Sequence, residues 1–254
     1  MKNIIRGMIV FCALAGVVCL SAQTAESALT ADEIVQKHLA AVGGKEAIGK
    51  VKSISMESTA QIMGSDAPGT TVILDGVGSK SVTDFNGAKI VTCYGDKSGW
   101  MVNPMAGASD PTPMPADQYK LGRSGIFAGG PLYDYAGKGN KIELVGKDDK
   151  SYKIKLTTKD GVEIAYVIDA VTFLINSQTS RGKMQDQDVD ITSTFADYRK
   201  TETGYLLPYS IDLDFGGQFS LTITVKKIEL NKTIDPAVFE MPKPEAVKQP
   251  SNPA

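Results

Sequence analysis

"FSLTITVKKIEL", residues 219–230, carries Phe219, Leu221, Ile223 and Val225 at every second position, with Ser220, Thr222, Thr224 and Lys226 between them. Successive side chains of a strand point to opposite faces, so this spacing makes one face apolar and the other wet. Such a strand belongs to an antiparallel sheet covered on one side. The cover decides both fold and function: a second sheet, the chain's own helices, or an apolar ligand.

The same texture extends through most of the chain. "SISMESTAQI" (53–62) sets Ile54, Met56, Ala60 and Ile62 in alternation, and "TTVILDG" and "SKSVTDF" follow before an Asn86-Gly87 hairpin turn into "AKIVTCY". "GDKSG" turns into "WMVNP", with Trp100 and Val102 on one side. Further on come "KIELVGK", "YKIKLTT", "VEIAYVID", "TFLINSQ", "DVDITSTFADYRK" and "YLLPYSIDLDF", the last carrying Ile211 and Leu213, then a Gly216-Gly217 turn into the opening strand. About ten or eleven strands in short-turn order predict an antiparallel meander. Residues 103–135 break the rhythm, being proline-rich, then helical from about Ala116, then glycine-rich around Phe127. There is no internal repeat and no sign of a second domain.

One strong helix precedes the strands. "TADEIVQKHLAAVGG" has Thr30 and Glu33 in capping-box spacing, Ile34, Val35, His38, Leu39 and Val42 on one side, and a Gly43-Gly44 stop. "KEAIGK" adds another turn. Ten strands at ~4.8 Å spacing make a flat sheet more than ~40 Å wide, whereas a helix is ~10–12 Å across. Two helices cannot cover that width. The sheet therefore folds over as a sandwich, or curls around its helices and leaves apolar volume for a ligand.

The ends read differently. Lys2 and Arg6 precede an apolar run from Met8 to Leu20, followed by small and polar residues, which is a secretory signal peptide cleaved near Ala22 (1–22). The run is shorter than the ~20 residues of a spanning helix. Neither Cys12, after Phe11, nor Cys19, after Val18, has the small preceding residue of a lipidation site. Both cysteines leave with the signal, so Cys93 has no partner for a disulfide even in an oxidising compartment. Residues 23–29 form a linker, 30–242 the folded domain, and 243–254, within "PKPEAVKQPSNPA", a disordered tail. The formal net charge of −2 becomes −4 without Lys2 and Arg6, a balance that offers no electrostatic case for nucleic acid or anionic lipid surfaces.

Motifs for chemistry fail on inspection. His38 is the only histidine, no Gly-x-Ser-x-Gly elbow is present, and a histidine-based metal site lacks its second histidine. Asp186, Asp188 and Asp190 do not make a calcium loop, because Ile191 stands where the glycine is needed and Asp197 where the glutamate is needed; they read as a solvated strand face. Asn231-Lys232-Thr233 is a short glycosylation match of low specificity, and the 128–130 "AGG" lacks a Walker lysine. No cofactor is expected, and no catalytic group. Met63, Met101, Met105 and Met114, with Trp100 and Phe127, instead suit the adaptable rim of an apolar mouth.

The order and spacing of several pieces resemble the LolA-like family of outer-membrane lipoprotein-sorting proteins: "IVQKHLAAVGGKEAIGKVKSI" (34–54), "YGDKSGWMVNP" (94–104), "GPLYDYAGKGNKIELVG" (130–146), "FADYRKTETGYLLPYSI" (195–211) and "IELNKTIDPAVFEMPKP" (228–244). The resemblance implies a mainly β fold, a half-open antiparallel β-barrel whose concave apolar face is lidded by helices. It also implies a periplasmic carrier, acting as a monomer, for lipoprotein acyl chains or phospholipid, with an inner-membrane ABC transporter as donor and an outer-membrane acceptor. The ligand-binding residues expected on this basis are Ile54, Met56, Ile62, Trp100, Val102, Phe127, Ile211, Leu213, Phe219, Leu221, Ile223 and Val225. Gly43-Gly44 and the glycines of 122–130 are the expected lid hinges. The family's strand arginine that latches the lid is missing from "LDGVGSKSVTDF" (74–85), so no latch residue is carried over. The alternative is an envelope sensor or scaffold of the same fold, its cavity filled by its own side chains.

Overall fold

The computed structural model describes residues 28–184 and 187–243. The signal segment, most of the linker, the tail from 244 and Asp186 lie outside them. Six strands follow the first helices: β1 (Ser53–Ile62), β2 (Ser65–Leu74), β3 (Gly78–Phe85), β4 (Ala88–Gly95), β5 (Gly99–Asn103) and β6 (Ala108–Pro113). After the irregular segment come β7 (Lys141–Lys147), β8 (Ser151–Thr157), β9 (Glu163–Asp169), β10 (Ile175–Met184), β11 (Gln187–Lys200), β12 (Leu206–Phe215) and β13 (Ser220–Leu230). All pair antiparallel in one sheet of order β6-β5-β4-β3-β2-β1-β13-β12-β11-β10-β9-β8-β7. The edges β6 and β7 do not meet, so the sheet is an unclosed half-barrel; of the two solutions the width allows, the curled sheet is the one adopted.

Thirteen strands exceed the ten or eleven expected. The difference includes β6, "ASDPTP", whose two prolines argue against a strand in a sheet interior. At the edge beside β5 alone, a proline with no N–H to donate is tolerated.

The quoted stretch lies at the centre, between β1 and β12. Ile223 stands opposite Ala60 and Ile211, and Leu221 opposite Leu213. The alternation then changes phase. Val225 pairs with Ser58 but Lys227 with Glu57, so Lys226 is the extra residue of a β-bulge. Past it, the even-numbered Ile228 and Leu230 carry the apolar face onward, opposite Met56 and Ile54.

Helix α1 (Ala31–Ala41) begins at Thr30, whose hydroxyl accepts from the Glu33 N–H while the Glu33 carboxylate accepts from the Thr30 N–H at 2.8 Å. It buries Ile34, Val35, His38 and Leu39, and α2 (Gly44–Gly49) adds Ile48. These pack on Ile154, Leu156, Ile164, Tyr166 and Ile168 of β8 and β9 to form the main core. Each such aliphatic side chain contributes about 1.5–3 kcal/mol on burial, which holds α1 to the concave face.

Helix α3 (Ala116–Gly122) lies across the concave face between the two halves of the sheet. The Tyr119 hydroxyl donates to the carbonyl of Gly95, the last residue of β4, and a Cβ at Gly182 of β10 would stand 2.9 Å from Leu121. Arg123, just past α3, donates to the Asp96 carbonyl and pairs with Asp160 of the β8–β9 turn at 2.7 Å.

The convex face of β2–β5 has its own cover. Residues 231–241 double back over it, and Phe239 packs against Cys93 and Trp100 with Val72, Leu74, Val91 and Val102 around them. Trp100 Nε1 donates to the Phe239 carbonyl at 2.9 Å, and Gly78 leaves the room that the Phe239 ring occupies. Burial pushes the Cys93 thiol up to about 11, against the opposing charge of Lys80, so it stays a thiol at neutral pH.

Candidate functional site

Between α1, residues 121–132 and the concave face lies a cavity of about 350 Å³. The sheet supplies Ile54 and Met56 of β1, Ile73 of β2, Ile164 and Tyr166 of β9, Ile175 of β10, Phe195 of β11 and Ile211 of β12. His38 and Val42 come from the first helix and its cap, and Leu121, Phe127, Ala128, Pro131 and Leu132 from the segment that closes the open side. The polar lining is sparse: Ser124, Gln178, Ser180, three tyrosines and His38. Among the described residues, no carboxylate, ammonium or guanidinium belongs to the wall.

His38 is held in its neutral form. Its Nδ1 lies 2.9 Å from the Phe173 carbonyl, which only accepts, so Nδ1 carries the proton of that bond. Burial lowers its affinity for a second proton, and the Phe173 carbonyl opposes this more weakly. The Tyr198 hydroxyl donates to the Ile175 carbonyl at 2.8 Å. That of Tyr166 is buried with no hydrogen-bond partner among the described residues, and burial raises its pKa well above the ordinary phenol value. Among the described residues no group of three or more His, Cys, Asp or Glu side chains is placed to hold a metal ion.

Of the twelve residues singled out in the sequence, Ile54, Met56, Phe127 and Ile211 line this cavity. Leu213, Leu221, Ile223 and Val225 share its sheet face, and Ile62 and Phe219 continue that face beyond the cavity. There Ile62, Leu221 and Ile223 pack with Ala60, Ala67 and Phe85, and the Phe219 ring centroid lies 5.8 Å from that of Phe215. Trp100 and Val102 are the correction. Through Cys93, Lys80 and Val72 their register leads to Ser55, on the convex side, away from the cavity, where the 231–241 strap buries Trp100 and Val102 packs half-buried beside it. The methionines do not form a common rim: Met63 (85% exposed) and Met105 (64%) occupy connections at one margin of the sheet, whereas Met114 (8%) is buried.

The residues not singled out are instructive. Tyr166 was within reach, since Ile164, Tyr166 and Ile168 alternate in β9. Gln178 and Ser180 carry no sequence signal, because a polar side chain in a strand reads as the wet face. His38, on the apolar side of the first helix, lies in the wall.

The chain is thus an unclosed antiparallel half-barrel that holds an apolar cavity beneath its helices. Solved structures share this fold. A LolA superfamily protein from Nitrosomonas europaea superposes with a TM-score of 0.55 at 12% identity, covering 84% of this chain and 98% of that one. A DUF1329 family protein from Desulfovibrio piger gives 0.56 at 13%, covering 84% and 98%. A domain described as an outer-membrane lipoprotein-sorting protein from Vibrio parahaemolyticus gives 0.51 at 16%, covering 82% and 94%. The chain has the LolA-like fold. No protein-family model and no curated protein sequence matches it. Among the described residues no helix is long and apolar enough to cross a membrane.

Proposed function

We propose that this protein is a non-catalytic periplasmic carrier that holds the acyl chains of lipids or lipoproteins in the cavity beneath α1 and α3, in outer-membrane lipoprotein sorting. The observation that carries the reading is a wall of aliphatic and aromatic side chains, about 350 Å³ in volume, without an ionised group. Each methylene moved from water into such a wall contributes about 0.8 kcal/mol, so burial of part of a chain offsets its departure from a membrane with no reaction chemistry. On this reading cargo arrives from an inner-membrane transporter, leaves to an outer-membrane acceptor, and is held by a monomer. The open volume argues against the sensor or scaffold alternative, which needs the cavity filled by the protein's own side chains.

The test is displacement of an apolar fluorescent probe. The probe binds, and fatty acid or lipopeptide competes it off. Ile211→Asp, which sets a carboxylate in the wall, lowers probe affinity at least about tenfold. Circular dichroism checks that the variant is folded. A folded wild-type protein that takes up no probe overturns the proposal.

A further inference from the structure

A second cavity, of about 270 Å³, adjoins the first and has the opposite chemistry. Lys120, Arg123, Lys138 and Lys159 contribute to its wall, with Asp160 as its single carboxylate among the described residues. Ser124, Phe127 and Pro131 belong to both cavities, so the two are neighbours across one partition.

The charges do not cancel. Asp160 is committed to Arg123, at 2.7 Å. Lys138 is committed to the protein: its ammonium donates to the Gly130 and Tyr133 carbonyls and lies 4.7 Å from the Phe127 ring centroid, with Asp75 and Asp134 acting on it from outside the wall. Lys120 and Lys159 make no ion pair among the described residues, and both are exposed. They come from different elements, the end of α3 and the β8–β9 turn, which the Arg123–Asp160 pair ties together, and the Lys159 N–H donates to Asn140 Oδ1, another residue of the wall. A cluster of cations in a chain of net formal charge −2 marks a place where negative charge is favoured against the overall balance.

We infer that the basic cavity seats the phosphate-bearing headgroup of a lipid whose acyl chain enters the adjoining apolar cavity, with Lys120 and Lys159 as its charge contacts. This rests on the carrier reading and extends it, by naming an anionic amphiphile as the ligand class. An ammonium meeting phosphate makes a charge-assisted bond, roughly twice as strong as a neutral one. The partition at Phe127 stands where the polar and apolar parts of such a molecule meet.

The experiment measures displacement of the apolar probe by lysophosphatidylglycerol and by the monoacylglycerol of equal chain length, with inorganic phosphate as a third competitor. In the wild-type protein the phospholipid displaces the probe at a concentration about tenfold or more lower than the neutral lipid, and added phosphate narrows that gap. Lys120→Gln/Lys159→Gln brings the two lipids to within about twofold of each other and leaves the neutral lipid unchanged. Equal displacement by both lipids in the wild-type protein overturns the headgroup site while the carrier reading stands. Equal loss of both in the double variant also overturns it. Phosphate binding without any advantage of the phospholipid makes this a site for the free anion and overturns the lipid assignment. Failure of the probe itself to bind defeats the carrier reading, a separate outcome.

Discussion

His38 joins α1, the cavity and the β9–β10 turn through a single side chain, bonded at Nδ1 to the carbonyl of Phe173. Burial depresses its pKa in the folded chain below the ordinary imidazole value of about 6.5. The folded protein therefore binds fewer protons than the unfolded chain once pH drops below that value. Its contribution to stability is fully present above the ordinary imidazole range and is lost as pH falls through the folded value. The carboxylates whose values shift are lowered, so they titrate below this window. Because the chain has no other histidine, the dependence is assignable. Urea unfolding of the wild-type protein is expected to show stability falling as pH drops below the ordinary imidazole value, and His38→Asn, whose amide still donates to Phe173, to flatten that slope. An unaltered slope in the variant would show that the imidazole is not its source.

At the scale of elements, Gly122 ends α3 against β4. A Cβ there would enter the Tyr94 ring, whose own place is fixed in the concave face. Gly122→Ala is expected to lift the end of α3, at a cost of about 1–3 kcal/mol of the kind overpacking brings. Trypsin then cuts at Lys120 or Arg123 faster than in the wild-type protein, with the far-UV circular dichroism unchanged; cleavage at the wild-type rate contradicts this docking.

The same scale explains what the strand pattern conceals. Alternation through Val225 was legible, but Ile228 and Leu230 were not, because the bulge at Lys226 inverts the parity and only the pairing with β1 reveals it. Trp100 and Val102 were legible as sharing a face, but not which face. Met101 on the opposite side of "GWMVN" is apolar too, so the pattern does not choose between the faces, and the cover over Trp100 and Val102 is the strap ending near Phe239, far away in sequence. The apolar cavity was half-legible as a row of aliphatic residues on β1 and β12. The basic cavity was not legible at all, since its lysines lie in two connections, β6–β7 and β8–β9, that only the folded chain brings together.

At the scale of the whole molecule, the first and last strands are neighbours in the middle of the sheet. β1 pairs with β13 over eight residues from Ile54 to Gln61, and this seam joins the β2–β6 wing to the β7–β12 wing. The cavity draws residues from both wings, and Arg123 and Asp160 tie the open side together. Residues 126–132 bridge the wings: the Gly76 N–H donates to the Ile126 carbonyl and the Ala128 N–H to Asp75 in the β2–β3 turn, while Ala128 and Leu132 belong to the core built on β8 and β9. Trp100 is the only tryptophan and lies in the β2–β6 wing, so its fluorescence reports that wing alone, while far-UV circular dichroism reports the whole sheet. The two signals are expected to trace one coincident transition in urea, as a single cooperative unit requires. A bound lipid that spans both wings must move the signals together, and at a free concentration one hundred times its Kd it adds about 2.7 kcal/mol to the unfolding free energy. Two separated transitions, or a lipid that shifts the circular dichroism and leaves the Trp100 curve in place, would mean that the wings fold independently and that the cavity belongs to one of them.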